Sequence, residues 1–295
     1  MYLLEVVQQE RQLTVENSLL KMEGVSYTLL QSTLVISIEK NAEFANRIVL
    51  PVDKINEDAI EIICKEDSKT KLLIKNFKNN TNITIRMEKN AELALNFISI
   101  DDSAKGKYHF ILEDNSRAMV AMADLAKGNI NVDVLFDLIG NNSNAEWHLA
   151  SLGASDDNKV FNINFNHMGK DTMGIMANYG VVENESFMHF KGDSHIQKGS
   201  IRSKAHQSAK IMVFDEKCHA KANPILKIDE NDIEASHAAV VGKVNEEHMY
   251  YLCSRGINEN DAKQLITFGY LKPIANYFAD KSDVELILNG IEKRL

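Results

Sequence analysis

The feature that most constrains this chain is a turn that keeps returning. Glu39-Lys40-Asn41-Ala42-Glu43-Phe44 is echoed by Glu88-Lys89-Asn90-Ala91-Glu92-Leu93. Related polar breaks follow at Glu113-Asp114-Asn115, Asn141-Asn142-Ser143, Gly169-Lys170-Asp171, Gln197-Lys198-Gly199, Asp215-Glu216-Lys217 and Asp229-Glu230-Asn231. From Lys89 to Lys198 they recur about every 25 to 29 residues, the period of one solenoid turn. Asn, Asp and Gly suit such corners because they tolerate left-handed backbone, and Asn and Asp can also bond their own main chain. Between the corners lie segments of period two, such as Ile83–Met87 and Val160–Phe165, with Val132–Phe136 nearly so. Helical periodicity is almost absent from 25 to 240.

Short strands at fixed spacing, without the Asn-Gly turns of a β-meander, predict an all-β solenoid in the form of a parallel β-helix. A sandwich or barrel is the competing reading of the same strand pattern. A β-helix shields each rung with the next, so its end rungs must be capped or paired.

After Gly242 the pattern turns helical. Asn245 is placed to cap a helix through Glu246, Glu247 and His248 to Ser254, and Asn258 with Asp261 to cap another leading into Ala262–Phe268. Pro273 suits a first helical turn, and Ser282-Asp283-Val284-Glu285 reads as a capping box. Tyr250, Leu252, Leu265, Ile266, Phe268, Leu271, Ile274 and Phe278 supply apolar faces. The expected organisation is an N-terminal segment (1–24), a β-helix core (25–242) and a small C-terminal α-helical region (243–295).

Composition narrows the function. The 295 residues carry 42 acidic against 33 basic side chains, a net charge of −9, which leaves no overall electrostatic footprint for nucleic acid. No apolar run is long enough to span a bilayer. Met1–Glu5 lacks a basic n-region, so a cytoplasmic location is expected. Cys64, Cys218 and Cys253 are too few and scattered for a disulfide framework.

Cys218 shares strand parity with Ala220 and Ala222, and His237 with Ala235, Ala239 and Val241. Both parities predict an inward face, where a histidine needs a partner or a ligand. Thiolate and imidazole are ligands suited to iron, zinc or an Fe–S fragment. Neighbouring Cys218 and His219 point to opposite faces and cannot share an ion on a regular strand. Glu234 and Ser236 take the solvent-facing parity. His189, His195 and His206 match no metal spacing and read as solvated or internally satisfied. No nucleophile elbow, P-loop, Rossmann fingerprint or His-Glu-x-x-His occurs, so the chain is expected not to be an enzyme. A β-helical carbohydrate-active enzyme would want an aromatic-lined groove, and the one tryptophan is Trp147. A pure interaction module is the third possibility.

Asn223-Pro224-Ile225-Leu226, Ser236–Gly242 and Tyr251-Leu252-Cys253-Ser254-Arg255-Gly256-Ile257 resemble the C-terminal signature of the SufB/SufD family, scaffolds of the SUF iron–sulfur assembly machinery. The resemblance extends from about Leu112 to Pro273. It implies a right-handed parallel β-helix followed by helices, a complex with the SufC-type ABC ATPase, and pairing through terminal rungs with a SufB-like scaffold or a second copy. It further implies a transient Fe–S cluster at the seam, with Cys218 near the position of the SufB-type cysteine and His237 at the family histidine. Glu234 joins them as an interface candidate. Tyr250, Tyr251, Ser254, Arg255, Gly256 and Ile257 correspond to the ATPase-docking segment. Ser236-His237 is closest to the SufD pattern, whereas Ala238 stands where SufD members usually have Gly. The chain also lacks the N-terminal cysteine motif of SufB and the helical domain of larger members, so it reads as a short SufD.

Overall fold

The structure is a computed structural model that describes residues 24–44, 47–50, 52, 59–75, 79–100 and 104–294. Apart from Gly24, the expected N-terminal segment, Met1–Glu5 included, lies outside the described residues.

Among the described residues seventeen strands wind into a β-solenoid of about 7 turns, followed by helices at the C-terminus. One sheet contains β1 (Val25–Leu30), β2 (Thr33–Ile38), β4 (Ala59–Cys64), β6 (Asn79–Met87), β8 (Ala104–Leu112), β10 (Asn129–Leu138), β12 (Asn158–His167), β14 (Phe187–Ile196) and β16 (His219–Ile228), in that spatial order. We call it sheet B. Sheet A runs β17 (Ile233–Lys243), β15 (Ser203–Val213), β13 (Met173–Val182), β11 (Asn144–Gly153), β9 (Arg117–Asp124), β7 (Glu92–Ser99), β5 (Lys69–Lys75) and β3 (Ile48–Leu50). The strands alternate between sheets, so each pairs in parallel with the strand one turn earlier, as in Phe110↔Phe136↔Phe165. The exception is β1, which folds antiparallel onto β2 through Gln31, a residue at φ +56°. No Asn-Gly signal announces that hairpin.

Alternation does the sorting. In β10, Ile130, Val132, Val134, Phe136 and Leu138 are buried while the intervening side chains are not. The inward residues stack from turn to turn: the rings of Phe110, Phe136 and Phe165 lie 4.5 Å apart in succession. Burying each such ring stabilises the fold by roughly 1.5–3 kcal/mol. Trp147 is fully buried in the same interior, its indole N–H donating to Asn178 Oδ1 at 3.0 Å.

The recurring turns form one corner of the solenoid. Asn41, Asp67, Asn90, Asn115, Asn142, Asp171 and Arg202 all adopt positive φ of 55–60°, each leading from sheet B into sheet A. Their side chains form a ladder on the surface. Asn90 donates to Asp67 (2.8 Å), Asn115 to Asn90 (3.1 Å) and Asn142 to Asn115 (2.9 Å), and Arg202 grips Asp171 with two bonds of 2.6 Å. A small residue often follows, and the hydroxyls of Ser116 and Ser143 bond the carbonyl three residues back, closing the turn. Asp215–Lys217 is not part of this series: it lies at the opposite corner, between β15 and β16.

The tail comprises α1 (Glu246–Ser254), α2 (Glu259–Leu271), a 3-10 turn (Lys272–Tyr277) and α3 (Lys281–Arg294). Asn245 accepts the N–H groups of Glu247 and His248, and Asn258 that of Asp261, so both expected caps are in place. The capping box at Ser282 is not. The helix begins at Lys281, and Asp280 accepts the Ser282 N–H, which frees Asp283 to turn inward. The tail does not form a cluster of its own. Leu271, Ile274, Phe278, Ile287 and Ile291 pack on the outer face of sheet A against Ala121, Ala150, Leu152 and Val181. Buried Asp283 meets Arg47 (2.8 Å) and Lys75 (3.5 Å), so the strap reaches back to the first turns. Tyr250 and Leu265, expected on apolar faces, are exposed. Among the described residues no helix is long and apolar enough to cross a membrane.

Candidate functional site

The candidate residues gather where the solenoid stops. Among the described residues β16 and β17 are the last strands of their sheets, with no further strand on their outer edges. His237 pairs in register with Gln207 of β15, which is buried. The imidazole therefore has the interior parity expected of it, but among the described residues no rung follows, and His237 is exposed. At a terminal rung the inward face is open to solvent, so interior parity does not bury the imidazole within one chain. Val240 and Val241, on the same strand, are also exposed.

Cys218 occupies the turn before β16. It is 9 % exposed, with Sγ 3.4 Å from the Asn184 carbonyl oxygen and the backbone N–H donating to Asp215. Burial pushes the thiol pKa above its ordinary value. Since the thiolate is the ligand, a metal must displace that proton for Cys218 to bind one.

The two do not form one site within a chain. Gln207 Nε2 donates to the Ile225 carbonyl at 2.9 Å, which sets Gln207, and with it His237, across from Ile225. Cys218 precedes Ile225 by seven residues (225 − 218), or about 20 Å of extended strand. A small cluster cannot bridge that span. Among the described residues no group of three or more His, Cys, Asp or Glu side chains is arranged to hold a metal ion.

Glu234 is exposed on the outer face, ion-paired with Lys204 at 2.9 Å and 3.5 Å from His206. The hydrogen bond from Lys204 holds its carboxyl below the usual range. His189, His195 and His206 are engaged at the surface, with Asn223 (2.8 Å), Asp229 (2.7 Å) and Ser236 (2.8 Å) respectively.

The segment after β17 differs in character. No residue of α1 is buried, and Tyr250 and Tyr251 are 77 % and 57 % exposed. Arg255 lies 5.2 Å over the Tyr251 ring, and Ser254 Oγ donates to the Tyr251 carbonyl at 2.8 Å. Gly256 takes φ +88°, a left-handed conformation that ends the helix, while the Ile257 N–H returns to Leu252. The result is a short, preformed helix presenting two aromatic rings to solvent beside the open end.

Two interior features carried no sequence signal strong enough to be singled out. Lys159 is fully buried and ion-paired with buried Asp124 at 2.9 Å. His167 is fully buried against Thr172 (2.8 Å), and burial lowers its pKa to about 4. An inward lysine on a strand that reads as alternating could have pointed to the first. Trp147, being wholly buried, lines no groove for a sugar.

Residues 22–270 match the SufBD core domain of the SUF system of FeS cluster assembly. The iron–sulfur cluster assembly protein SufD of Bacillus subtilis is 33 % identical over 159 residues, covering 54 % of this chain and 35 % of that protein. A SufBD family protein of Pyrococcus horikoshii, PH1385, is 28 % identical over 160 residues, again 54 % and 35 %. SufD of Escherichia coli is 26 % identical over 115 residues, 39 % of this chain and 27 % of that one. The aligned part of this chain thus spans about a third of the length of these relatives. With the core domain matched over most of its length, the chain belongs to the SufB/SufD family and is most like SufD.

Proposed function

We propose that the chain is a non-catalytic scaffold subunit of SUF-type iron–sulfur cluster assembly, acting as SufD does, with a SufB-like partner and a SufC-type ABC ATPase. The observation that carries this reading is the place of His237: on the interior parity of β17, in the last rung, with no strand above it among the described residues. A partner rung placed there would cover the imidazole and the exposed Val240 and Val241 together, and complete the ligand set that one chain lacks. The nascent cluster is cargo at this seam. Cys218 is a ligand candidate at the far side of the same rung, available to a second partner group and not to His237 of its own chain. A self-paired dimer, with Cys218 of one copy serving the other, is the variant of this reading that the residues permit.

α1 would be the ATPase dock, with Tyr250, Tyr251, Ser254, Arg255, Gly256 and Ile257 as contacts. Nucleotide-driven approach of two docked ATPases would then shift the seam through β17, which runs directly into α1. Such a switch requires contacts that differ between the two states. The test is anaerobic reconstitution of the full chain with the SufB-like subunit and ATPase, reading visible iron–sulfur absorbance. His237→Ala should abolish cluster accumulation while the complex still co-elutes. If His237→Ala and Cys218→Ser both leave accumulation unchanged, the seam assignment is wrong.

A further inference from the structure

The outer face of sheet B differs in charge from the rest of the molecule. The tail covers the other sheet, and among the described residues nothing packs over the outward side chains of β8 to β16. On those five strands the outward parity carries Lys105, Lys107, Lys191, Lys221 and Lys227, against three carboxylates and no glutamate. Counting imidazoles as neutral, that is +2 (five minus three) in a chain of net −9.

The carboxylates are already engaged. Asp133 accepts from Asn162 at 2.7 Å, Asp137 from Asn166 at 2.8 Å with His109 at 2.6 Å, and Asp193 from Lys227 at 2.6 Å. Lys105, Lys107 and Lys191 are exposed and stand in no ion pair of the described residues, and Lys221 lies 5.8 Å over the Phe187 ring. Lys107 and Lys191 share one register row through Asp133 and Asn162, three strands or about 14 Å apart. On the outer face of sheet A, by contrast, Lys69 meets Glu92 and Lys204 meets Glu234.

We propose that this flat face of sheet B docks an acidic protein segment, whose carboxylates pair with Lys107, Lys191 and Lys221. A like-charged surround makes the patch selective in place, since an acidic partner is repelled elsewhere and steered here. Nucleic acid fits less well. The net charge opposes it at long range, and the one Phe, Tyr or Trp side chain of the face, Phe187, is half-buried.

The experiment uses the full chain with fluorescent poly-glutamate and, separately, poly-uridylate of equal charge, each titrated at low and physiological salt. Poly-glutamate should bind with an affinity that falls as salt rises, and the triple substitution Lys107→Ala, Lys191→Ala, Lys221→Ala should weaken it at least about tenfold. The control triple on sheet A, Lys69→Ala, Lys204→Ala, Lys210→Ala, should change it less than about twofold. Equal losses in both triples, or no binding of poly-glutamate to the unsubstituted chain, overturn the proposal. Tighter binding of poly-uridylate overturns the choice of partner. Lys107 and Lys191 lie away from the terminal rung and α1, and Lys221, though on β16, is on its outward face; the readout needs neither partner nor cluster, so the outcome is independent of cluster assembly.

Discussion

Replacing Lys159 by Met tests the most tightly buried electrostatic contact in the solenoid. Lys159 Nζ donates to Asp124 Oδ2 at 2.9 Å and to the Ala126 carbonyl at 2.6 Å, and neither charged side chain is exposed. Asp124 keeps only Ser151 Oγ at 2.6 Å and the Ala126 N–H at 3.4 Å once the lysine is gone. Methionine preserves most of the aliphatic stem, so the loss is chiefly electrostatic. Removing one partner of a buried pair costs about 3–5 kcal/mol because the other charge is left uncompensated. With a urea slope of roughly 3 kcal/mol/M, the unfolding midpoint should fall by about 1 M or more. Adding Asp124→Asn to Lys159→Met removes the stranded charge while keeping an acceptor for Ser151, and should recover most of that loss, to within about 2 kcal/mol of the unsubstituted chain. Equilibrium urea unfolding followed by circular dichroism reads both. The reasoning fails if Lys159→Met shifts the midpoint by less than about 0.3 M, or if the double variant is no more stable than the single one.

Four further outcomes follow from the same geometry. Asn115→Ala should destabilise by about 2 kcal/mol and Asn115→Gly by about 1, because both lose two exposed side-chain bonds but only alanine is strained at φ +58°; equal values in thermal melts would contradict the corner assignment. Arg47→Ala leaves buried Asp283 with only Lys75 at 3.5 Å, so it should cost about 2 kcal/mol or more and speed amide exchange across 281–294 before the strands. Burial holds Glu183 above the usual carboxylate range, so keeping it ionised opposes folding at pH above that raised pKa, and the opposition vanishes below the unfolded value, where both states are protonated. Glu183→Gln, which retains a partner for Thr267, should therefore gain melting temperature over the unsubstituted chain at pH 8 but not at pH 4, and a pH-independent difference would sink the claim. Tyr250→Ala with Tyr251→Ala should abolish co-elution with the ATPase while moving stability by less than about 0.5 kcal/mol, since both rings are exposed; intact co-elution would remove α1 from the interface.

The solenoid was legible because its two constraints are local. Alternation is written residue by residue, as in Val132–Phe136, and the corner needs residues that tolerate positive φ, which is why Asn41, Asn90, Asn115 and Asn142 stand out. Where the corner uses Arg202, or Gln31 in the first hairpin, the same backbone is built from residues without that preference and the signal disappears. The helix caps at Asn245 and Asn258 were readable for the same local reason. Ser282 misled because the choice between two adjacent caps is made by a distant contact, Asp283 with Arg47. Likewise the apolar residues of the tail announce a buried face but not its partner. Leu271 and Phe278 pack on sheet A across ninety or more residues of sequence (271 − 181 = 90), a relation no window can contain.

The site was legible in kind and not in arrangement. Parity puts His237 on the inward face correctly, since its register partner is buried Gln207, yet parity says nothing about whether another rung follows. That missing rung decides the chemistry. An exposed edge strand is ordinarily blunted by charge, proline or a covering element. Here β16 is blunted by Pro224, Lys221 and Lys227 but leaves Ile228 uncovered, β17 has no proline and leaves Val240 and Val241 uncovered, and the tail runs instead along the flank of sheet A. Within one copy, the geometry also keeps His237 about 20 Å from the nearest candidate thiol along that rung. On the function proposed above, an open edge and a divided pair of candidate ligands call for the same remedy, a second β-rung seated on the first. On that proposal the open end is half of an interface, and the imidazole a ligand whose companions arrive with the partner.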